Sequence, residues 1–333
     1  MLRGFWLIGL LLAMSAAHAE QDFVVHPRDP GCTSLTPAAV GGPMPPRGIL
    51  ALRWFGTTNF ELAYNGKVYL LDTYYDRGPR NRPIGFGVAD VKRADAIFIG
   101  HAHFDHMADA VPVARQTGAP VIGAPTVAEA AAAMGLPAGQ MVTVRGGEVL
   151  KDPGFTVEAI LARHSTLAPE VLSAFRGAID VAGGAPTPEE KAAEDAILKR
   201  GTFDPRVITE GTIAYLFTFD NGFTLAFRNS AGNITDAERA VMQRVGHTDV
   251  AIIGYIGQYL AKRQIASTLP LIQLYNPRLY LPAHHDEIAG TFIDIGLEPL
   301  FMALREQMPA TRHAAPLYRE PVCMDLRRAR GKY

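Results

Sequence analysis

The sequence predicts an α/β fold of layered sheets and helices, and three observations predict it. Short apolar runs of strand length are punctuated by turn signals at Asn65-Gly66 and Asp220-Asn221-Gly222, the pattern of β-hairpins. Strand-like and helix-like segments alternate between Ala94 and Leu161, as they do where helices cover a sheet. One apolar run, Ala94 to Gly100, leads directly into His101-Ala102-His103-Phe104-Asp105-His106. A strand end thus delivers three imidazoles and a carboxylate to one place.

The length allows one large domain or two small ones, and the composition is that of an ordinary globular protein. The chain has 333 residues, 48% of them hydrophobic, which is enough for a substantial core. Lys and Arg number 32 against 33 Asp and Glu, with no basic block that would mark a nucleic-acid surface. A small-molecule substrate is therefore the expected partner and nucleic acid is not; the oligomeric state is left open.

Residues 1–19 read as a signal peptide: Arg3, an apolar stretch from Phe5 to Met14, then the small-x-small site Ala17-His18-Ala19. The apolar stretch is short for a membrane span, and no Cys at the cleavage point offers a lipid anchor. A periplasmic or secreted protein without a stable membrane anchor is expected. The two cysteines, Cys32 and Cys323, then form an even pair suited to a disulfide joining the chain's ends; two buried free thiols are the alternative.

Residues 20–48 are rich in Pro and Gly and read as an irregular extension draped over the surface. The main domain is expected at 49–333. Its early strands are Leu52 to Phe55, Phe60 to Tyr64 and Lys67 to Leu71, the last ending at Asp72. Met107 to Gln116 reads as a helix, Pro120 to Gly123 as a buried strand, and Thr126 to Met134 as a helix closed by Gly135. Strands are expected at Met141 to Val144 and Phe155 to Leu161, followed at once by His164.

A helical insertion at about 165–205 comes next. Its first segment carries Leu167, Leu172 and Phe175, and its second opens with the capping box Thr187-Pro188-Glu189-Glu190. Because it leaves the sheets beside His164, it is expected to form a lid, with Leu172 and Phe175 facing substrate; a peripheral packed hairpin is the alternative. Hairpin strands from Thr212 to Phe227 lead to Arg228-Asn229-Ser230. Further on, Thr235 opens a capped helix, Val250 to Ile253 is a strand, Ala261 to Tyr275 is helical despite Pro270, and Arg278 to Leu281 runs into Pro282-Ala283-His284-His285-Asp286. Leu300 to Gln307 reads as a surface helix, and the basic run Arg327-Arg328-Ala329-Arg330 as a solvated end.

Histidine and carboxylate side chains at this density are metal ligands by chemistry, suited to zinc and related divalent ions. In an extended strand end, His101 and His103 point the same way and can grip one ion together. The hexapeptide resembles the signature of the metallo-β-lactamase superfamily. The resemblance implies a four-layer αββα sandwich, here with a helical insertion, and a mono- or dinuclear centre.

On that resemblance, His164, which follows His106 by 58 residues, joins His101 and His103 around a first ion. Asp105, His106 and His284 hold a second, with His285 the competing choice for the last. Asp72 is expected either to orient a ligand or simply to cap a turn. Most relatives have a Gly-Asp pair where this chain has Asn229 and Ser230; the missing carboxylate predicts weaker binding of a second ion, so one or two Zn2+ are expected, with Mn2+ or Fe2+ also open.

The implied function is an exported hydrolase that uses metal-activated water on an ester, lactone or phosphoester, Asp105 orienting the nucleophile and relaying its proton. The segment from Trp54 to Tyr75 is most similar to the ascorbate-phosphate lactonase-type branch. β-Lactam hydrolysis, a binding protein without turnover, and an iron-dependent oxygen-using enzyme are the alternatives.

Overall fold

The computed structural model describes residues 28–166, 184–255, 261–288, 291–292 and 296–328. Two seven-stranded sheets pack face to face among these residues. The first contains β1 (Ile49–Trp54), β2 (Phe60–Tyr64), β3 (Lys67–Leu71), β4 (Ala96–Phe98), β5 (Val121–Gly123) and β6 (Met141–Thr143). The second contains β7 (Val149–Asp152), β8 (Phe155–Ala162), β9 (Thr212–Phe219), β10 (Thr224–Arg228), β11 (Thr248–Gly254) and β12 (Pro277–Ala283). A two-stranded ribbon, β13 (Glu287–Ile288) with β14 (Thr291–Phe292), stands apart, while β15 (Arg312–His313) and β16 (Pro321–Asp325) close the edges of the second and first sheets.

The sheets share one plan: an antiparallel meander on one side and parallel strands on the other. In the first, β16-β1-β2-β3 are antiparallel and β3-β4-β5-β6 parallel. The second repeats this as β7-β8-β9-β10, then β10-β11-β12-β15. Parallel strands need crossovers, and helices such as Pro125–Ala133 and Ala261–Tyr275 supply them on the outer faces.

Aromatic side chains fill the space between the sheets. Phe98 of the first sheet meets Tyr215 and Phe217 of the second at centroid distances of 5.3 and 5.1 Å, and Tyr69 meets Phe155 at 5.0 Å. The Tyr215 hydroxyl donates to the Ile99 carbonyl at 2.9 Å, so its one polar group is satisfied inside the core. The architecture is the expected α/β sandwich.

Two local expectations change. The lead-in is not a surface drape from residue 28 onward: the Ala38 and Ala39 amides donate to buried Glu61, and the Gly31 carbonyl accepts from buried Arg53. The Met107 to Gln116 helix is two helices, Phe104–Met107 and Ala110–Thr117. Asp109 stands at the break, its carboxylate accepting from the Tyr75 and Asp76 amides and from Arg200. Near the chain end, β16 pairs along β1 and carries Cys323, which forms a disulfide with Cys32 across a sequence separation of 291, while the Arg327 and Arg328 side chains beyond it are exposed.

The insertion's capping box is present at Thr187, which accepts from the Glu190 amide at the head of helix Pro188–Leu198. Leu172 and Phe175 lie outside the described residues. No helix among the described residues is long and apolar enough to cross a membrane.

Candidate metal centre

Strand ends from both sheets converge on one edge of the sandwich. β3 ends at Asp72, β4 runs into His101–His106, β8 into His164, β10 into Asn229 and Ser230, and β12 into His284. The donor atoms of His101, His103 and His164 lie within 4.8 Å of one another, and so do those of His101, Asp105 and His106. His101 is common to both groups.

The first group presents nitrogens at metal-like spacing. His101 Nε2 and His103 Nδ1 are 3.1 Å apart, where tetrahedral zinc ligation at about 2.0–2.1 Å would set them roughly 3.3 Å apart. The opposite ring nitrogens are occupied: His101 Nδ1 is 3.1 Å from Asn229 Oδ1, and His164 Nδ1 is 2.5 Å from the Ser165 carbonyl. Such contacts fix the ring and its tautomer. Burial, reinforced by the neighbouring imidazoles, holds His101 well below the ordinary histidine range. Burial also lowers His103 to about 4 and His164 to about 3. The rings are therefore neutral near pH 7, the form that binds a metal.

The second group is built around carboxylates. Asp105 Oδ2 lies 3.4 Å from His106 Nε2 and 3.1 Å from His284 Nε2. His106 Nδ1 faces Asp72 Oδ2 at 2.8 Å. Burial opposes protonation of His106, but Asp105 and Asp72 outweigh it and raise the ring to about 10. Asp105 is held well below the carboxylate range because His106 and His284 overcome its burial.

Asn229, not Ser230, faces this edge. Besides its contact with His101, Asn229 donates from Nδ2 to Asp72 Oδ2 at 2.9 Å. A Cβ at position 100 would overlap the Asn229 amide, which explains glycine there. Ser230 Oγ instead accepts the Ser165 amide at 3.0 Å, bracing the loop that carries His164. The neighbouring histidines also part: His284 reaches Asp105, while His285 stacks on Trp54 at 4.4 Å with an interplanar angle of 16°.

Several participants were invisible in the sequence. Thr58 Oγ1 lies 2.6 Å from Asp72 Oδ2 and 2.7 Å from His106 Nδ1. Arg77, fully buried, donates to both Asp286 and Glu287 behind His284. Phe203 sits against His103 at a 5.4 Å centroid distance yet is 63% exposed. The segment holding it is pinned to the histidine loop by the Thr202 amide, which donates to the Ala102 carbonyl. Clustering of Tyr74, Tyr75 and Arg77 just after Asp72 was the available signal for Arg77; Thr58 and Phe203 gave none.

The donor set fits a divalent ion of the zinc, iron or manganese kind, since imidazole and carboxylate together suit all three. Sheet order, flanking helices and this histidine-rich edge define a metallo-β-lactamase-fold protein. A family model described as a β-lactamase superfamily domain matches residues 67–181, about a third of the chain, and the two helix-flanked sheets are consistent with the metallo-β-lactamase fold.

Among its relatives, a UPF0173 metal-dependent hydrolase of Pyrobaculum neutrophilum is 32% identical over 117 residues, 35% of this chain. That match spans about half of the relative, 51% of its length. A UPF0173 metal-dependent hydrolase of Cupriavidus necator is 24% identical over 271 residues, 78% of this chain and 84% of the relative. The structure of Igni18, a metallo hydrolase from Ignicoccus hospitalis, superimposes with a TM-score of 0.57 at 16% identity, covering 83% of this chain and 98% of that one.

Proposed function

We propose that this protein is an exported, metal-dependent hydrolase acting on an ester, lactone or phosphoester bond of a small molecule. The observation that carries this reading is the convergence of His101, His103 and His164 beside Asp105, which lies between His106 and His284. Zinc is the expected metal, with one or two ions held by His101, His103 and His164 and by Asp105, His106 and His284.

An ion held there supplies a Lewis acid that acidifies bound water and polarises a carbonyl or phosphoryl oxygen. The chain's own groups do the rest. Asp105, ionised and reachable from both sides, holds the attacking water and accepts its proton at Oδ2. Asn229 and the Ser165 carbonyl hold the His101 and His164 rings at Nδ1, which would leave Nε2 of each free to bind an ion. Phe203 offers an apolar surface beside His103 for the non-reacting part of a substrate.

Periplasmic or secreted localisation is part of the proposal, supported by the Cys32–Cys323 disulfide, since such bonds persist chiefly in oxidising compartments. Elemental analysis combined with a panel of ester, lactone, phosphodiester and β-lactam reporters tests the function. Metal-dependent turnover of an ester, lactone or phosphodiester is expected. Turnover confined to β-lactams would replace the proposed substrate class, and bound metal without turnover across the panel would leave a binding protein.

A further inference from the structure

The turn Gly56-Thr57-Thr58-Asn59 between β1 and β2 touches both histidines that flank Asp105. On one side, the Thr57 carbonyl accepts the His284 amide at 2.6 Å, and the Thr57 amide donates to Asp286 Oδ1 at 2.8 Å. On the other, the Thr58 hydroxyl meets Asp72 and His106. Both threonines are fully buried. The backbone is unusual at each contact, with φ of 48° at Thr57, 54° at Asp72 and 61° at His284. Left-handed backbone in a β-branched residue is disfavoured and persists only where its surroundings impose it.

The hydroxyl has a role that a methyl group could not fill. A threonine Oγ1 that donates to the Asp72 carboxylate keeps its lone pairs for an N–H on His106 Nδ1. With Nδ1 held between Thr58 Oγ1 at 2.7 Å and Asp72 Oδ2 at 2.8 Å, Nε2 is the nitrogen left to face Asp105, at 3.4 Å. Asp72 does not need Thr58 for its own solvation, because it also accepts from the Gly100 amide at 2.8 Å and from Asn229 at 2.9 Å.

We propose that Thr58 is a positioning residue for His106, and that the Thr57-Thr58 turn sets His106 and His284 on either side of Asp105 for a divalent ion. The two rings stand 5.3 Å apart, centroid to centroid. This inference rests on the reading of Asp105, His106 and His284 as metal donors.

The test compares wild type, Thr58→Val, Thr58→Ala and Thr58→Ser. Zn2+ affinity is measured by chelator competition, the Co2+ absorption spectrum is recorded, and thermal melting checks the fold. Loss of an orienting partner typically costs about 10–100-fold in metal affinity, so the valine variant should lose that much at its weaker ion, or at its single ion if only one binds. Its cobalt spectrum should change, and serine should restore both readouts.

Thr58→Ala carries the test if valine does not fold. Wild-type affinity and spectrum in a folded variant lacking the hydroxyl overturn the inference. Equal weakening in the serine variant also overturns it, by assigning the effect to packing. A wild-type chain that binds no divalent ion fails the underlying metal reading and takes this inference with it.

Discussion

Two clusters share His101, the first with His103 and His164 and the second with Asp105 and His106, and their other members, with His284 beside Asp105, are held by different means. His101, His103 and His164 come from two strand ends and are steadied by neutral partners, an Asn229 amide oxygen and the Ser165 carbonyl. Asp105, His106 and His284 are steadied by Asp72, Thr58 and a strained backbone, with the Arg77, Asp286 and Glu287 charges packed behind. The first group is a cluster of imidazoles backed by neutral acceptors, and the second is interleaved with carboxylates. The contrast is between two flanks of one sandwich edge: imidazoles alone on the first, and imidazoles alternating with carboxylates on the second.

The largest effect should come from breaking both groups at once. His101→Ala removes their common donor, so divalent affinity should fall by more than the about 100-fold that follows loss of an orienting partner. Metal content after dialysis measures this, and full retention of ion would contradict the shared-donor arrangement. His284→Ala should damage only the carboxylate-rich group, lowering affinity at the weaker ion while sparing the tighter one.

A change far from the edge separates the site from the scaffold. Replacing both Cys32 and Cys323 by Ser should cost about 2–5 kcal/mol of stability in denaturant unfolding, while the folded variant keeps its metal affinity. Lost metal in a folded protein would mean that the disulfide shapes the site directly. Next in size, Gly100→Ala should cost about 1–3 kcal/mol by overpacking against Asn229. Asn229→Ala in the same chain should recover part of that cost, a non-additivity expected of residues in contact; purely additive losses would remove Asn229 from its bracing role.

The smallest effect sharpens the distinction between adjacent histidines. His285→Ala should forfeit roughly 0.5–1.5 kcal/mol of stacking on Trp54 with metal content unchanged. If His285→Ala loses metal and His284→Ala does not, the assignment of the two is reversed.

The same contrast explains what could be read in the sequence. The hexapeptide is contiguous, so its chemistry was visible in the sequence itself. His164 and His284 were legible as ligands only through the superfamily resemblance, although each follows a strand-like run, and Asp72 ends another such run. The even cysteine count pointed to the disulfide. Thr57 and Thr58 were hidden because their importance lies in a turn whose contacts come from residues 14 to 230 positions away.

Other features depended on tertiary pairing. Pro321–Asp325 is too short and irregular to announce a strand, yet β1 pairs with it along its whole length. β7 was passed over because Val149-Leu150-Lys151-Asp152 is mostly exposed and has its partner only after the tight turn to β8. The helix break at Asp109 could not be foreseen from helical periodicity, because it arises from hydrogen bonds to a loop more than thirty residues earlier.

The central claim is that this edge binds a divalent metal through His101. Elemental analysis of wild type and His101→Ala, each loaded with Zn2+ and dialysed, tests it most directly. At least one tightly held ion per wild-type chain, with little or none in the variant, is the predicted result. A folded wild-type chain that retains no ion, or a variant that retains as much as wild type, would contradict it.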